Sequence, residues 1–165
     1  MRAVSIVGIG QVPIEKTYAD SLRVLGARVV QLAMEDAGVE AVGALIAGNM
    51  LSDELQGQKH IAALIADEAG LAGVEALQVR AATATGAAAL RMAYLTVASG
   101  EADLAVAVGV EKMSGGGVTP VMAKALDAER EVPDGATLIS QNAKLMRMYL
   151  DKYGVPEDGL INFAV

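Results

Sequence analysis

Apolar residues form short runs along the chain that alternate with longer segments of helical periodicity. The runs are rich in Val, Ile, Leu and Ala, as buried strands are, and cover residues 3–9, 42–48, 76–82 and 104–111. Between these runs, helical spacing of apolar positions extends over about 20–37, 57–69 and 86–99. The order β-α-β-α-β-α-β predicts an α/β fold with a mainly parallel or mixed sheet and helices on both faces.

Local signals refine the predicted elements. Residues 3–9, "AVSIVGI", predict a buried first strand, because β-branched residues dominate a run that leads into a glycine. Asp20 or Ser21 suits the start of the first helix, and Gly38 suits its end. The run at 104–111, "LAVAVGVE", is apolar on both faces, which predicts a central strand covered from both sides.

After Met113 the chain becomes glycine-rich and polar before a helix is predicted from about residue 138 to residue 152. Pro156 suits the first turn of a further helix. We therefore expect an α/β domain over 1–113 and a second, partial segment over 114–165. Because the run "LINFAV" is still open at the last residue, we expect a truncated chain or a piece of a larger protein.

Charge and composition narrow the possible functions. The formal net charge of −7 argues against a nucleic-acid partner, which needs a basic face. The absence of Cys excludes disulfides, Cys-based zinc sites and thiol chemistry, and the lone His60 cannot form a multi-His site, so no metal site is predicted. No signal peptide or bilayer-spanning run is apparent, so we expect a cytoplasmic location and no membrane partner.

Two local features favour ordinary packing over chemistry. "GIGQVP" has Gly8 and Gly10 but Pro13 where a dinucleotide-binding motif needs its third glycine, and no helix follows directly. Met fills irregular gaps and suits adaptable binding surfaces, so Met146 and Met148 are candidates for packing or for lining a ligand site.

The stretch "VRAATATGAAALRMA", residues 79–93, has the local form of a nucleophile site. A predicted strand ends in small residues, turns through residues 83–86, and enters a helix that is apolar nearly all round, which predicts a buried helix. The N-terminus of a buried helix offers free N–H groups and a positive dipole end, which stabilise a thiolate or an oxyanion. The alternative is that Thr83 or Thr85 only caps the helix.

Several long motifs resemble the thiolases, in the order in which that family has them. They are "GQKHIAALIADEAGL" (57–71), "VRAATATGAAALRMAYLTVASGEAD" (79–103) and "VGVEKMS" (108–114). The resemblance covers nearly the whole chain but only the N-terminal half of a thiolase. It is closest to acetyl-CoA acetyltransferases of the sterol-carrier-protein-like, archaeal-type branch.

The resemblance implies a fold and an activity. Thiolases contain two similar β-α-β-α-β-α-β-β halves, and residues after 113 would begin the family's loop domain. An acyl-CoA acylates a cysteine at the N-terminus of a buried helix, and a second acyl-CoA attacks in a Claisen condensation, or thiolysis runs in reverse. Thiolases are dimers or tetramers, and the strand before the nucleophile commonly lies at the dimer interface. A coenzyme A thioester would be the substrate, with no other cofactor.

Two departures from the family pattern bear on activity. The family motif is close to E-A-A-C-A-S-G, and residues 80–86 here read R-A-A-T-A-T-G, so Thr83 stands at the nucleophilic cysteine. A hydroxyl is far more basic than a thiol and needs a strong adjacent base. The family's other catalytic groups, an Asn or His, the His of G-H-P and the Cys of C-x-G, match nothing in this chain.

Three functions remain open at the sequence level. The chain could be a thiolase-like acyltransferase domain that is inactive alone because of Thr83, a subunit of a non-cysteine thiolase-fold enzyme such as a retro-aldolase acting on CoA thioesters, or a non-catalytic CoA-binding scaffold. In each case we expect the apolar face of a half-fold to be covered by a C-terminal thiolase half or by a second copy.

Overall fold

The computed structural model describes residues 2–114 and 117–163, and the chain divides into two compact units, Met1–Gly116 and Gly117–Val165. The elements of the first unit follow in chain order. They are α1 (Leu22–Ala37), β1 (Ala44–Gly48), α2 (Ser52–Leu55), α3 (Ile61–Glu68), β2 (Glu75–Val79), α4 (Thr85–Ser99) and β3 (Ala105–Gly109). The α/β class predicted from the sequence is confirmed.

Within the described residues, one parallel sheet forms with the strand order β2-β1-β3. Ala44 of β1 lies opposite Glu75 of β2 on one side and opposite Ala105 of β3 on the other. Every residue of β1 is buried, because neighbouring strands flank its two edges and helices cover its two faces. The central strand is therefore β1.

The helices pack on both faces of the sheet, as the sequence predicts. Leu45 and Ala47 of β1 belong to a core cluster with α1 and α3, whereas Ala44 and Ile46 belong to a second cluster with α4. Successive side chains of a strand point to opposite faces, so each cluster takes alternate residues of β1. The connections after β1 and β2 cross the sheet in opposite directions, and right-handed crossovers then place α3 and α4 on opposite faces.

The predicted limits of the first helix are confirmed. The Ser21 hydroxyl accepts a hydrogen bond from the backbone N–H of Val24, which satisfies one of the free donors at the start of α1. Gly38 follows the helix with φ of 65°, a left-handed conformation that glycine adopts at low cost.

The predicted first strand at 3–9 is wrong. Residues 3–9 form no strand, and β1 pairs directly with β3. The side chains of Ile6, Val7 and Ile9 are 75%, 58% and 75% exposed, so this apolar run is not buried in the core. A run of β-branched residues indicates strand propensity but does not specify which neighbour it will contact.

The N-terminal segment instead lies along α1. A Cβ atom on Gly8 or Gly10 would come within 2.5 Å of carbonyl oxygens of that helix, so the glycines allow direct backbone contact. The Ile9 N–H donates to a carboxylate oxygen of Asp36 at 2.9 Å. The Arg2 guanidinium donates to a backbone carbonyl at the end of α4 at 2.6 Å. The Ile9 contact therefore holds the segment on α1, and the Arg2 contact ties its first residue to α4.

The prediction of a central strand at 104–111 is also wrong. Among the described strands, β3 pairs only with β1 and therefore lies at an edge of the sheet. Only Val108 of β3 is buried, whereas Ala107 and Gly109 are exposed. The apolar character of both faces of β3 reflects a surface that this unit leaves open.

The second unit contains α5 (Val118–Ala123), α6 (Leu138–Tyr153) and a 3-10 helix (Glu157–Phe163). The predicted helix from residue 138 is confirmed. Thr137 and Ser140 form a reciprocal capping box at its start, each side chain accepting from the backbone N–H of the other. That this unit begins a thiolase loop domain stays a prediction.

We expect Gly48→Ala to destabilise the first unit by about 1–3 kcal/mol, because the new methyl group would lie 2.9 Å from the backbone oxygen of Thr85. Gly109→Ala is the matched control, since it also ends a strand but has its nearest neighbouring atom at 4.0 Å. Urea denaturation of both variants checks the difference. Equal unfolding midpoints for the two variants would contradict the close packing of α4 on β1.

Candidate functional site

The carboxyl edge of the parallel sheet is where a binding site is expected in this class of fold. The chain leaves β1 and β2 toward helices on opposite faces, and in open α/β sheets such a reversal leaves a crevice outside the strand ends. Polar residues follow all three strands at this edge. They are Asn49 after β1, Arg80 after β2 and Glu111 after β3.

The connection from β2 to α4 is a tight turn formed by residues 81–86, the last two of which begin α4. Ala82 has φ of 47°, in the left-handed region that costs a residue with a Cβ atom about 1 kcal/mol. The Thr85 hydroxyl accepts from the Ala81 N–H at 2.9 Å and donates to the Ala82 carbonyl oxygen at 2.6 Å. Thr85 therefore holds the turn closed and stabilises its strained residue.

Thr83 lies exposed at the start of α4, one residue before the N-cap Ala84. Ala84 is the N-cap, and no side chain caps the helix. The Thr85 hydroxyl bonds only Ala81 and Ala82, before the helix, so the alternative that Thr83 or Thr85 caps α4 is wrong. Among the described residues, the Thr83 hydroxyl has no hydrogen-bond partner, so no base contacts it.

Backbone donors remain free at the start of α4. Within the described parts of the chain, the N–H groups of Gly86 and Ala87 have no acceptor. Both residues are exposed, and they lie at the positive end of a helix of 15 residues. This arrangement can stabilise an anion, such as a thiolate or an oxyanion, close to position 83.

The prediction that α4 is buried all round is wrong. Ala89 and Ala93 are buried against the sheet, but Leu90 and Tyr94 are 53% and 46% exposed. The exposed residues share one side of the helix, where no described element covers them. Apolar residues on two sides of a helix indicate two surfaces to be covered, and only one of them is covered here.

Glu111 forms a cluster at the carboxyl edge that sequence reasoning missed. Its carboxylate accepts hydrogen bonds from the backbone N–H groups of Met50 and Leu51 and from the Asn49 side chain. Burial raises the pKa of Glu111, although these donors and the charge of Arg80 act in the opposite direction. The sequence contains no signal for this cluster, because its partners lie about 60 residues apart.

Asn49 links the cluster to the following helix. It is fully buried, and its amide donates to the Val110 carbonyl oxygen at 2.7 Å and to Glu111 at 3.0 Å. Its Oδ1 atom accepts from the Ser52 N–H at 2.9 Å, at the first residue of α2. All polar groups of the Asn49 side chain therefore contribute to joining β1, β3 and α2.

Arg80 and Asp53 form a second polar contact at this edge. Two guanidinium nitrogens of Arg80 donate to the two carboxylate oxygens of Asp53, at 2.9 Å and 3.2 Å. The hydrogen bond from Arg80 lowers the pKa of Asp53 below its usual value. The pair connects the residue before the 81–86 turn to α2.

Met146, Met148 and His60 are further residues that the sequence singles out. Met146 and Met148 belong to the second unit, where they are 51% and 66% exposed on α6. Residues two positions apart on a helix do not face each other, so one ligand surface would involve one of the two. His60 is exposed just before α3, with φ of 56°. Their predicted roles stay untested.

Residues 4–165 match the model of the thiolase N-terminal domain, and the chain belongs to that family. The predicted resemblance to the N-terminal half of thiolases is therefore confirmed.

The chain is 38% identical over 168 residues to an acetyl-CoA acetyltransferase of Methanothermobacter thermautotrophicus, with 100% of this chain and 44% of that relative covered. An acetyl-CoA acetyltransferase of Methanocaldococcus jannaschii is also 38% identical, with 43% of its length covered. The chain thus spans less than half the length of these curated relatives.

Two solved structures of 3-oxoacyl-(acyl carrier protein) synthase III are also similar. The Pseudomonas aeruginosa PAO1 protein has a TM-score of 0.44 and 23% identity, with 49% of this chain and 24% of that chain covered. The Aquifex aeolicus VF5 protein has a TM-score of 0.46 and 18% identity, with 52% of this chain and 28% of that chain covered.

In residues 2–114 and 117–163, no helix combines the length and apolar character needed to cross a bilayer. In the same ranges, no three acidic or histidine side chains converge as metal ligands would.

The raised pKa of Glu111 predicts a pH effect on stability. The folded state holds this proton more tightly than the unfolded state, so the contribution of Glu111 is largest below the usual glutamate pKa and is lost as pH rises through the folded value. Glu111→Gln should therefore lose stability relative to the natural chain as pH falls from neutral. The exposed Glu101→Gln is the control, and urea titrations between pH 7 and pH 4 provide the measurement. A difference that is constant with pH would contradict this assignment.

Proposed function

We propose that this chain is a non-acylating thiolase N-terminal domain that acts with a partner chain on a coenzyme A thioester. The observation that carries the proposal is Thr83 itself, which immediately precedes the N-cap of α4, a helix with free N–H groups at its start, and whose hydroxyl has no base as a partner among the described residues. By the thiolase resemblance, Thr83 stands where the family has its cysteine. The setting suits an anionic sulfur, but the atom present is a hydroxyl oxygen, which stays protonated at neutral pH.

Two roles fit a domain of this kind. It could be a subunit of a non-cysteine thiolase-fold enzyme, such as a retro-aldolase for CoA thioesters, or a CoA-binding scaffold without chemistry of its own. The unpartnered hydroxyl of Thr83 favours the scaffold, because nucleophilic catalysis through oxygen needs an adjacent base. Met146 or Met148 would line the acyl-CoA site in either role, and the expected location is the cytoplasm.

An exposed apolar face supports the need for a partner. A cavity of about 760 Å³ lies between the N-terminal segment, α1, α4 and β3. The exposed side chains of Ile6, Leu90 and Tyr94 belong to the elements that border it. Exposed apolar side chains that border one surface are typical of an interaction site. We propose that the C-terminal half of a thiolase, or a second copy of this chain, covers this face.

Restoring a thiol tests the acyl site. We expect Thr83→Cys to gain the mass of one acetyl group on incubation with acetyl-CoA, because the start of α4 stabilises the thiolate that exchanges with the thioester. The natural chain should keep its mass. Intact-mass spectrometry measures both, and the absence of any other Cys makes the gain unambiguous.

Thr17→Cys is the control, since it places a thiol at another exposed position away from a helix N-terminus. Acetylation of Thr83→Cys should be about tenfold faster than that of the control. Equal rates would overturn the assignment of an acyl site, and acetylation of the natural chain would show that Thr83 is itself a nucleophile.

The apolar face predicts association. The purified chain should have a mass above that of a monomer, and Leu90→Glu should shift it toward the monomer while changing the free energy of unfolding by less than about 0.5 kcal/mol. Leu145→Glu is the control, because Leu145 is 65% exposed but belongs to the second unit. Size-exclusion chromatography with light scattering reports the mass. A natural chain that is monomeric at high concentration contradicts pairing with a second copy.

A further inference from the structure

A continuous path of side-chain contacts connects the end of β3 to the turn that carries Thr83. Its first step is Glu111, whose carboxylate receives three donors from residues 49–51. The donors are the two backbone N–H groups after β1 and the Asn49 amide. The carboxylate therefore fixes the conformation of the chain as it leaves the central strand.

The second step runs through α2. Asn49 accepts from the Ser52 N–H, which sets where that helix begins. Asp53, the next residue of the helix, receives both hydrogen bonds from Arg80. Since α2 is only four residues long, the position of Asp53 depends closely on how the helix starts.

The last step is the turn itself. Arg80 is followed by Ala81, whose N–H donates to the Thr85 hydroxyl that also holds the strained Ala82. A shift of Arg80 would move Ala81 and loosen both hydrogen bonds of Thr85. Thr83 lies between Ala81 and Thr85 in the turn and would move with them.

We propose that Glu111 is a positioning residue for the 81–86 turn, acting through Asn49, α2 and the Asp53–Arg80 pair to hold position 83 at the N-terminus of α4. The inference rests on the proposed function in one respect, that position 83 stands where the thiolase family has its cysteine. This role explains why a carboxylate, which is costly to bury, lies at the end of an edge strand. Its two oxygens can accept hydrogen bonds from all three donors, whereas a neutral side chain of the same size cannot.

The effect of positioning by Glu111 can be separated experimentally from the effect of its charge. A cysteine at position 83 reports its environment through its pKa, which the start of α4 lowers. The charged groups of the path and its surroundings are Glu111, Asp53, Arg80 and Lys59. Removing a negative charge from Glu111 or Asp53 would, by Coulomb interaction alone, lower the thiol pKa further. Loss of positioning raises the thiol pKa, because the sulfur moves away from the free N–H groups.

The experiment compares Thr83→Cys with the double variants that add Glu111→Gln or Asp53→Asn. The rate of alkylation by iodoacetamide is measured from pH 5 to pH 10, and the thiol pKa is taken from the profile. We expect each second substitution to raise the thiol pKa by about one unit, which slows alkylation about tenfold at pH values below it. Glu101→Gln in the same background is the control and should leave the profile unchanged.

A thiol pKa that falls or stays constant in both double variants overturns the proposal. Circular dichroism establishes that each variant is folded. If Glu111→Gln does not fold, Asp53→Asn decides, because it interrupts the same path nearer the surface, where the Asp53 side chain is 25% exposed. Alkylation needs no coenzyme A, so this result stands apart from the acetylation test of the proposed function.

Discussion

The close approach of α4 to the central strand is the contact on which the rest of the first unit depends. Small residues face each other there, with Ala44 of β1 packed in one cluster with Ala89 and Ala93 of the helix. Gly48 completes the contact, since no room exists for a side chain beneath the first residue of α4. A helix this close to the sheet begins directly above the carboxyl ends of β1 and β3. The location of the free N–H groups is thus a result of core packing.

The charges at the same edge are arranged to satisfy one another. Arg80 is paired with Asp53, and Glu111 is surrounded by donors, so neither carboxylate is available to occupy the start of α4. Because these side chains already form hydrogen bonds within the unit, the N–H groups of Gly86 and Ala87 remain available to an acceptor from a ligand or another chain. The edge therefore has a preference for anions even though the chain as a whole is acidic.

The sequence predicted features that depend on neighbouring residues. Ser21 and Gly38 limit α1 through contacts within a few positions, and the small residues of 79–93 marked the turn before α4 for the same reason. Partner choice over long distances was not predictable. The run at 3–9 has strand propensity, yet its glycines allow contact with α1, and the sheet closes without it. Glu111 was missed because its donors come from a distant strand end, and no spacing rule encodes such a contact.

The left-handed conformation of Ala82 has a consequence for dynamics. A residue with a Cβ atom in that region stores strain. The Thr85 hydroxyl holds the turn, together with two backbone hydrogen bonds that the Ala81 and Ala82 carbonyl oxygens accept from Ala84 and Thr85. Local stability within a domain varies with the number of contacts that must break, and few need to break here. We expect this turn to open while the sheet beneath it stays intact. The amide hydrogens of the segment that carries Thr83 would then exchange with solvent through local opening, far more often than the domain unfolds.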